Sequence, residues 1–262
     1  MVFIAPRLQH RNTANLQQRR KIAPGCFDTI AMDWQTRTQS PACESPDALT
    51  FLPLILHTLP RRVVRDLCVL EVDPRSIAHK VSTSDQQDRN PFLFVGGTWD
   101  KTRKTIAEQE SQDSRFLFYK EIFIENRALT DTTKYHRHME RIAAGTPRRG
   151  MRNAEELLTR LQGYVTLFRE VERAGSLKLN RRITGRWDNE IGCAIDSHGK
   201  LVKISNGNNR FAIARFLDLP AMPVNILMMH RALVPDVVAA SDGFVRKRLR
   251  NYLEQFGTLM PV

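Results

Sequence analysis

The stretch Glu190-Ile-Gly-Cys-Ala-Ile-Asp-Ser-His-Gly-Lys-Leu-Val-Lys-Ile-Ser-Asn-Gly-Asn-Asn-Arg210 decides how this chain folds. Two short apolar runs, 191–195 and 201–204, flank the four-residue segment Asp196-Ser-His-Gly199, a pattern that predicts a β-hairpin. The turn 205–210 leads out of the second strand into a short helical segment, 211–217. Asp218-Leu-Pro220 interrupts the chain, and Pro223-Val-Asn-Ile-Leu227 reads as one more strand.

A strand that feeds a helix through Ser205-Asn-Gly-Asn-Asn-Arg210 has a chemical use. The first amides of a helix lack partners within it, and its dipole makes that end partly positive. Gly207 lets an anion approach the backbone, while Asn206, Asn208 and Asn209 can cap the helix or donate to phosphate oxygens. Arg210 adds a planar cation. The same residues also make an ordinary turn and helix cap, so the turn by itself leaves both readings open.

Outward from this unit, 66–73 is β-rich and stopped by Pro74. Residues 82–91 are polar and loop-like, and Phe92-Leu-Phe-Val95 is a second apolar run ending at Gly96-Gly97-Thr-Trp-Asp100. A helical period spans 114–145 through Phe116, Tyr119, Phe123, Met139 and Ile142, closed by Gly145. Residues 146–153 form a basic linker. The clearest helix is 155–174, with Leu157, Leu158, Leu161, Tyr164, Val165, Phe168 and Val171 on one face and Gly175 as its stop. A basic loop, 178–186, precedes Trp187 and Asp188, and 235–256 reads as a basic amphipathic helix around Phe244 and Leu249. Residues 1–65 hold Pro6, Pro24, Pro41, Pro46, Pro53 and Pro60 with poor periodicity, which predicts a poorly ordered basic arm.

The composition narrows the partners. The chain has 262 residues with 42% hydrophobic content, a net charge of +12 and a pI near 10.0. A core can form, and anionic partners are favoured, whether nucleotides, phosphorylated metabolites, nucleic acid or an acidic membrane surface. Cys26, Cys43, Cys68 and Cys193 are scattered without a CxxC pair, which argues against a zinc ribbon and fits reduced thiols in the cytoplasm. No apolar stretch reaches the roughly 18–20 residues of a membrane helix. His136 and His138 sit two apart, on different helix faces, which argues against a metal pair, and no metal site is expected.

Glu190-Ile-Gly-Cys-Ala-Ile-Asp196, Gly199-Lys-Leu201, Asn206-Gly-Asn-Asn-Arg-Phe-Ala-Ile-Ala-Arg-Phe-Leu-Asp-Leu219 and Met222-Pro-Val-Asn-Ile226 together resemble the core of the ParB/sulfiredoxin superfamily. Gly97-Thr-Trp-Asp100 upstream and Met229-His230 at the end resemble an uncharacterised ParB-like branch. The resemblance covers 67–231, closely over its last part and loosely before that. It implies an α+β fold with a mixed small sheet, flanking helices, a helical insertion at about 101–186 and a C-terminal basic helix in 232–262.

It also implies nucleotide binding, of ATP or CTP with magnesium, by a phosphate loop of Asn206, Gly207, Asn208, Asn209 and Arg210. The function it implies first is an ATP-dependent phosphotransferase acting on a small metabolite, with Asp100 or Glu190 orienting the acceptor. A nucleotide-responsive module without catalysis is the alternative, and a DNA- or RNA-associated protein the third. Asn209 stands where the family carries histidine, and asparagine cannot serve as a general base. Asn208 stands at the sulfiredoxin cysteine, which disfavours sulfur repair, and the acidic-plus-arginine pair of ParB is absent from the turn. The tail after residue 231 leaves little room for a ParB DNA-reading domain.

Overall fold

The protein is α+β, built on a mixed sheet, in a computed structural model that describes residues 46–81, 92–148, 151–179, 190–204 and 206–260. In chain order the elements are α1 (Pro46–His57), β1 (Val69–Val72), β2 (His79–Val81), β3 (Phe94–Val95), β4 (Arg103–Thr105), α2 (Ile106–Glu110), α3 (Ser114–Phe123), α4 (Thr133–Ala143) and α5 (Ala154–Ala174). They continue with β5 (Ile191–Ile195), β6 (Leu201–Lys203), α6 (Asn208–Phe216), β7 (Met222–His230), α7 (Val234–Ala239), α8 (Val245–Glu254) and β8 (Thr258–Leu259).

The predicted hairpin lies at the middle of the sheet, whose order is β4-β2-β6-β5-β7-β1-β8 with β3 also on β7. Strand β5 runs antiparallel to β6 (Cys193 opposite Lys203) and parallel to β7 (Ile191 opposite Val224). All five β5 residues are buried, as expected for a strand covered on both faces. The hairpin turn closes through Asp196: its backbone N–H donates to Lys200 O at 3.0 Å, and its Oδ1 accepts from His198 N and Lys200 N at 2.9 Å each. Gly199 supplies the positive φ that the turn requires, 66°. Helix α6 ends without glycine, because Asp218 takes φ 50° while Leu219 N donates to Ala214 O.

Several expectations are corrected. The arm expected over 1–65 is structured from Pro46, where α1 buries Leu52 and Leu56, with Leu59 buried just beyond. Burial of those leucines outweighs Pro53 inside the helix. The rest of the arm, with Cys26 and Cys43, lies outside the described residues, as do the loop 82–91, most of the basic loop 178–186, Trp187, Asp188 and Ser205. The helical period of 114–145 is two helices, interrupted where Asn126 takes φ 55°. The C-terminal basic stretch is α7, α8 and the edge strand β8. Its cations serve the fold: Arg246 pairs with Asp66 at 2.5 Å, Arg248 is buried and donates to Gly243 O at 2.7 Å and to Val238 O, and Arg250 pairs with Glu254 at 3.0 Å. Among the described residues no helix is long and apolar enough to cross a membrane.

Candidate phosphate site

The turn after β6 is anchored from inside. Lys203 is fully buried, and its Nζ donates to the carbonyls of Ile204 and Asn206. Gly192 N of β5 also donates to Asn206 O, at 3.3 Å. These bonds hold the loop carbonyls against the sheet. Burial pushes the Lys203 ammonium down to about 7.

Gly207 is the N-cap of α6, with φ 64° and ψ 25°. A Cβ there would lie 2.6 Å from Glu190 O, so the position admits only glycine. Having no side chain, Gly207 itself gives the helix no side-chain cap. A left-handed residue followed by right-handed ones forms a concavity of backbone N–H groups suited to an anion. Phe211 N donates to Gly207 O at 2.9 Å and closes the first helical turn.

Asn206, Gly207, Asn208, Asn209 and Arg210 all line a cavity of about 590 Å³. Its other walls come from α3, α4 and α5 and the segment before α5, with Arg115, Lys134, His138, Arg148, Arg160 and Tyr164 among the lining residues. The sequence reading missed this basic wall, because its members are far apart in the chain. Spacing hints at parts of it, since Lys134 and His138, and Arg160 and Tyr164, stand four apart on one helix face. The insertion docks on α6 through aromatic packing, with Phe168 of α5 5.6 Å from Phe216 of α6 and stacked on Phe123 at 3.8 Å.

Arg210 differs from its sequence-based role. It is buried, donates to Glu190 Oε2 at 2.6 Å and reaches the Lys178 carbonyl. Its charge is balanced within the protein before any ligand is considered. Glu190 is equally buried behind Arg210 and is not among the cavity's lining residues.

Asp100 is elsewhere. Its Oδ2 accepts from Ser197 N at 2.7 Å in the hairpin turn, at the opposite end of β5 from the loop, roughly 17 Å away by strand rise. Burial alone would raise its carboxyl, but hydrogen bonds from Ser197 and from its own backbone, with the charge of His230, together hold it below the ordinary value. Arg103 clamps the same turn through Asp196 at 2.8 Å, and buried Trp99 packs beneath it with Ala194, Val202 and Met228. The Gly97-Thr-Trp-Asp100 element therefore holds the hairpin and does not meet the loop. His230 also belongs there: Nδ1 accepts from Ala232 N at 3.1 Å, which leaves Nε2–H to donate to Gly97 O at 3.0 Å.

Among the described residues no group of three or more His, Cys, Asp or Glu side chains is placed to hold a metal ion. The chain matches no protein-family model, and no curated protein or solved structure is found similar to it.

Proposed function

We propose that the chain binds a phosphorylated nucleotide, ATP or CTP, with its phosphates on the loop 206–210 and the rest of the ligand in the cavity beside it. The observation that carries this reading is the left-handed Gly207 start of α6 opening into a cavity with a basic wall. Its volume of about 590 Å³ falls within the range of ordinary small-molecule sites. Magnesium would be held by the phosphates and water, since none of the described lining residues is a carboxylate. The resemblance to ParB/sulfiredoxin-like proteins supports the same ligand.

The site supports a nucleotide-responsive binding module better than a phosphotransferase. Asn209 cannot act as a base, Asp100 is engaged by the hairpin, and Glu190 is engaged by Arg210. Transfer to a small metabolite is the second reading, favoured by the extent of the cavity beyond the loop. Nucleic-acid association finds little support in α8, whose arginines are paired within the protein. The cytoplasm is the setting that goes with this reading, and the buried free thiols Cys68 and Cys193 agree with it.

Displacement of a fluorescent ATP analogue tests the proposal. ATP and CTP should displace it with magnesium, and adenosine without phosphates should not. Equal displacement by adenosine would contradict phosphate recognition. Steady nucleotide consumption with an acceptor would move the assignment to the phosphotransferase.

A further inference from the structure

Lys203 sits on β6, an inner strand of the sheet, opposite Cys193 of β5 and Lys80 of β2. It is among the largest fully buried side chains of the protein. A buried ammonium costs stability unless it is paired. Among the described residues no carboxylate pairs with this one. Its acceptors are backbone oxygens of the turn that leads into α6, Ile204 O and Asn206 O. The charge is thus spent on the conformation of the loop itself.

Lys203 lines a small cavity of about 30 Å³ with Asn208 and Phe211 of α6. Asn208 and Arg115 line both this cavity and the larger one that the loop faces. Burial lowers the lysine's pKa most, to about 7, with Lys80 and Arg115 adding to the effect and Cys193 opposing it. The Cys193 thiol is itself neutral in that range, since burial pushes it up to about 12. Glu110 and Asp113 also line the small cavity, engaged by Arg215 at 2.7 Å and Arg115 at 2.9 Å. A phosphate on the loop brings negative charge near the ammonium and favours its protonated form. Loss of the proton turns two charge-assisted bonds into weaker ones and removes the charge beneath the loop.

We propose that Lys203 is a proton-linked positioning residue of the phosphate loop. Its ammonium holds the Asn206 carbonyl, and with it the amides from Gly207 onward, in the arrangement that receives phosphate. The nucleotide therefore binds with uptake of a proton from solvent onto the lysine Nζ. The inference rests on the nucleotide reading and deepens it, because nucleotide affinity becomes a function of pH in the neutral range.

Calorimetric titration of the full chain with ATP and magnesium, in two buffers of different ionisation enthalpy, counts the protons. At about pH 7.5 roughly half a proton should be taken up per ATP. The terminal phosphate is already ionised there, so its own titration contributes little. Affinity should weaken by about fivefold or more from pH 7 to pH 9. Lys203→Met should abolish both the uptake and the pH dependence. Uptake should survive Lys80→Met and His138→Gln, which assigns the proton even where Lys203→Met does not fold. Without nucleotide, the backbone amides of residues 207–209 should titrate in the wild type with a midpoint near 7. ATP bound without uptake, or with the same pH profile in Lys203→Met, would overturn the proposal and leave the nucleotide reading standing. Uptake lost in Lys80→Met or His138→Gln would overturn it too, since the proton would belong to another group. Loop amides that titrate near pH 7 in a protein that binds no nucleotide would discredit the nucleotide reading and keep the link between Lys203 and the loop. Loop amides indifferent to pH, with no nucleotide bound, would overturn both.

Discussion

Arg210 looks from the sequence like a free cation for phosphate, yet its guanidinium is engaged by Glu190 and by the Lys178 carbonyl. Removing it takes a cation away from the buried Glu190 carboxylate. Arg210→Ala should therefore cost about 3–5 kcal/mol of stability, and Arg210→Met with Glu190→Gln should recover most of that, as read from urea unfolding midpoints. A fully stable Arg210→Ala would mean that the pair does not hold the loop. Sequence reading singled out Gly207 for the close approach it allows an anion, and the structure adds that the residue takes the left-handed conformation. It passed over Lys203, because a lysine in an apolar run reads as one solvent-facing residue of the strand. Its ammonium instead lies buried beneath the loop. With a folded pKa of about 7 against an ordinary 10.5, the folded state binds fewer protons than the unfolded state between those values. The stability that depends on this lysine is lowest below pH 7 and rises as pH increases toward 10.5. The unfolding free energy of the wild type minus that of Lys203→Met should accordingly grow from pH 7 to pH 9. A difference that shrinks would mean that the Ile204 and Asn206 carbonyls keep the ammonium charged.

At the scale of elements, α5 ties the insertion to the helix that carries the loop. Phe168 meets Tyr119, Phe123 and Phe216, which brings α3, α5 and α6 together. Phe168→Ala should cost about 3–5 kcal/mol. The loss should fall on α3 and α5, whose amides should exchange with solvent faster while those of β5 and β7 keep their protection. Uniform loss of protection would mean that insertion and sheet unfold as one unit. Helix α5 was legible because its apolar residues keep one face for 21 residues between Asn153 and Gly175. Strands β2 and β4 were not, because His79-Lys-Val81 and Arg103-Lys-Thr105 owe their pairing to neighbours distant in the chain. Helix α1 was hidden by its prolines, since only the partners of Leu52 and Leu56 make the segment worth ordering.

For the whole molecule, charge pointed to anionic partners without saying where they bind. The structure divides the basic residues: those of α8 serve the fold, and those around the insertion face a cavity. The hairpin, α6 and the phosphate turn could be read along the chain because they are consecutive. The cavity could not, because its walls come from residues 114–167 and 206–210, which only the folded chain brings together. For the same reason Asp100 was assigned to the site from the sequence, although the hairpin separates it from the loop. The central claim is that the loop at Gly207 receives a phosphate, and calorimetric titration with ATP and CTP, each with magnesium, addresses it most directly when wild type and Asn209→Asp are compared. Aspartate suits the first turn of a helix, so the variant should melt no lower than the wild type while repelling phosphate. The account predicts binding by the wild type and at least about tenfold weaker binding by Asn209→Asp. No binding by the wild type, or equal affinity in both proteins, would contradict it.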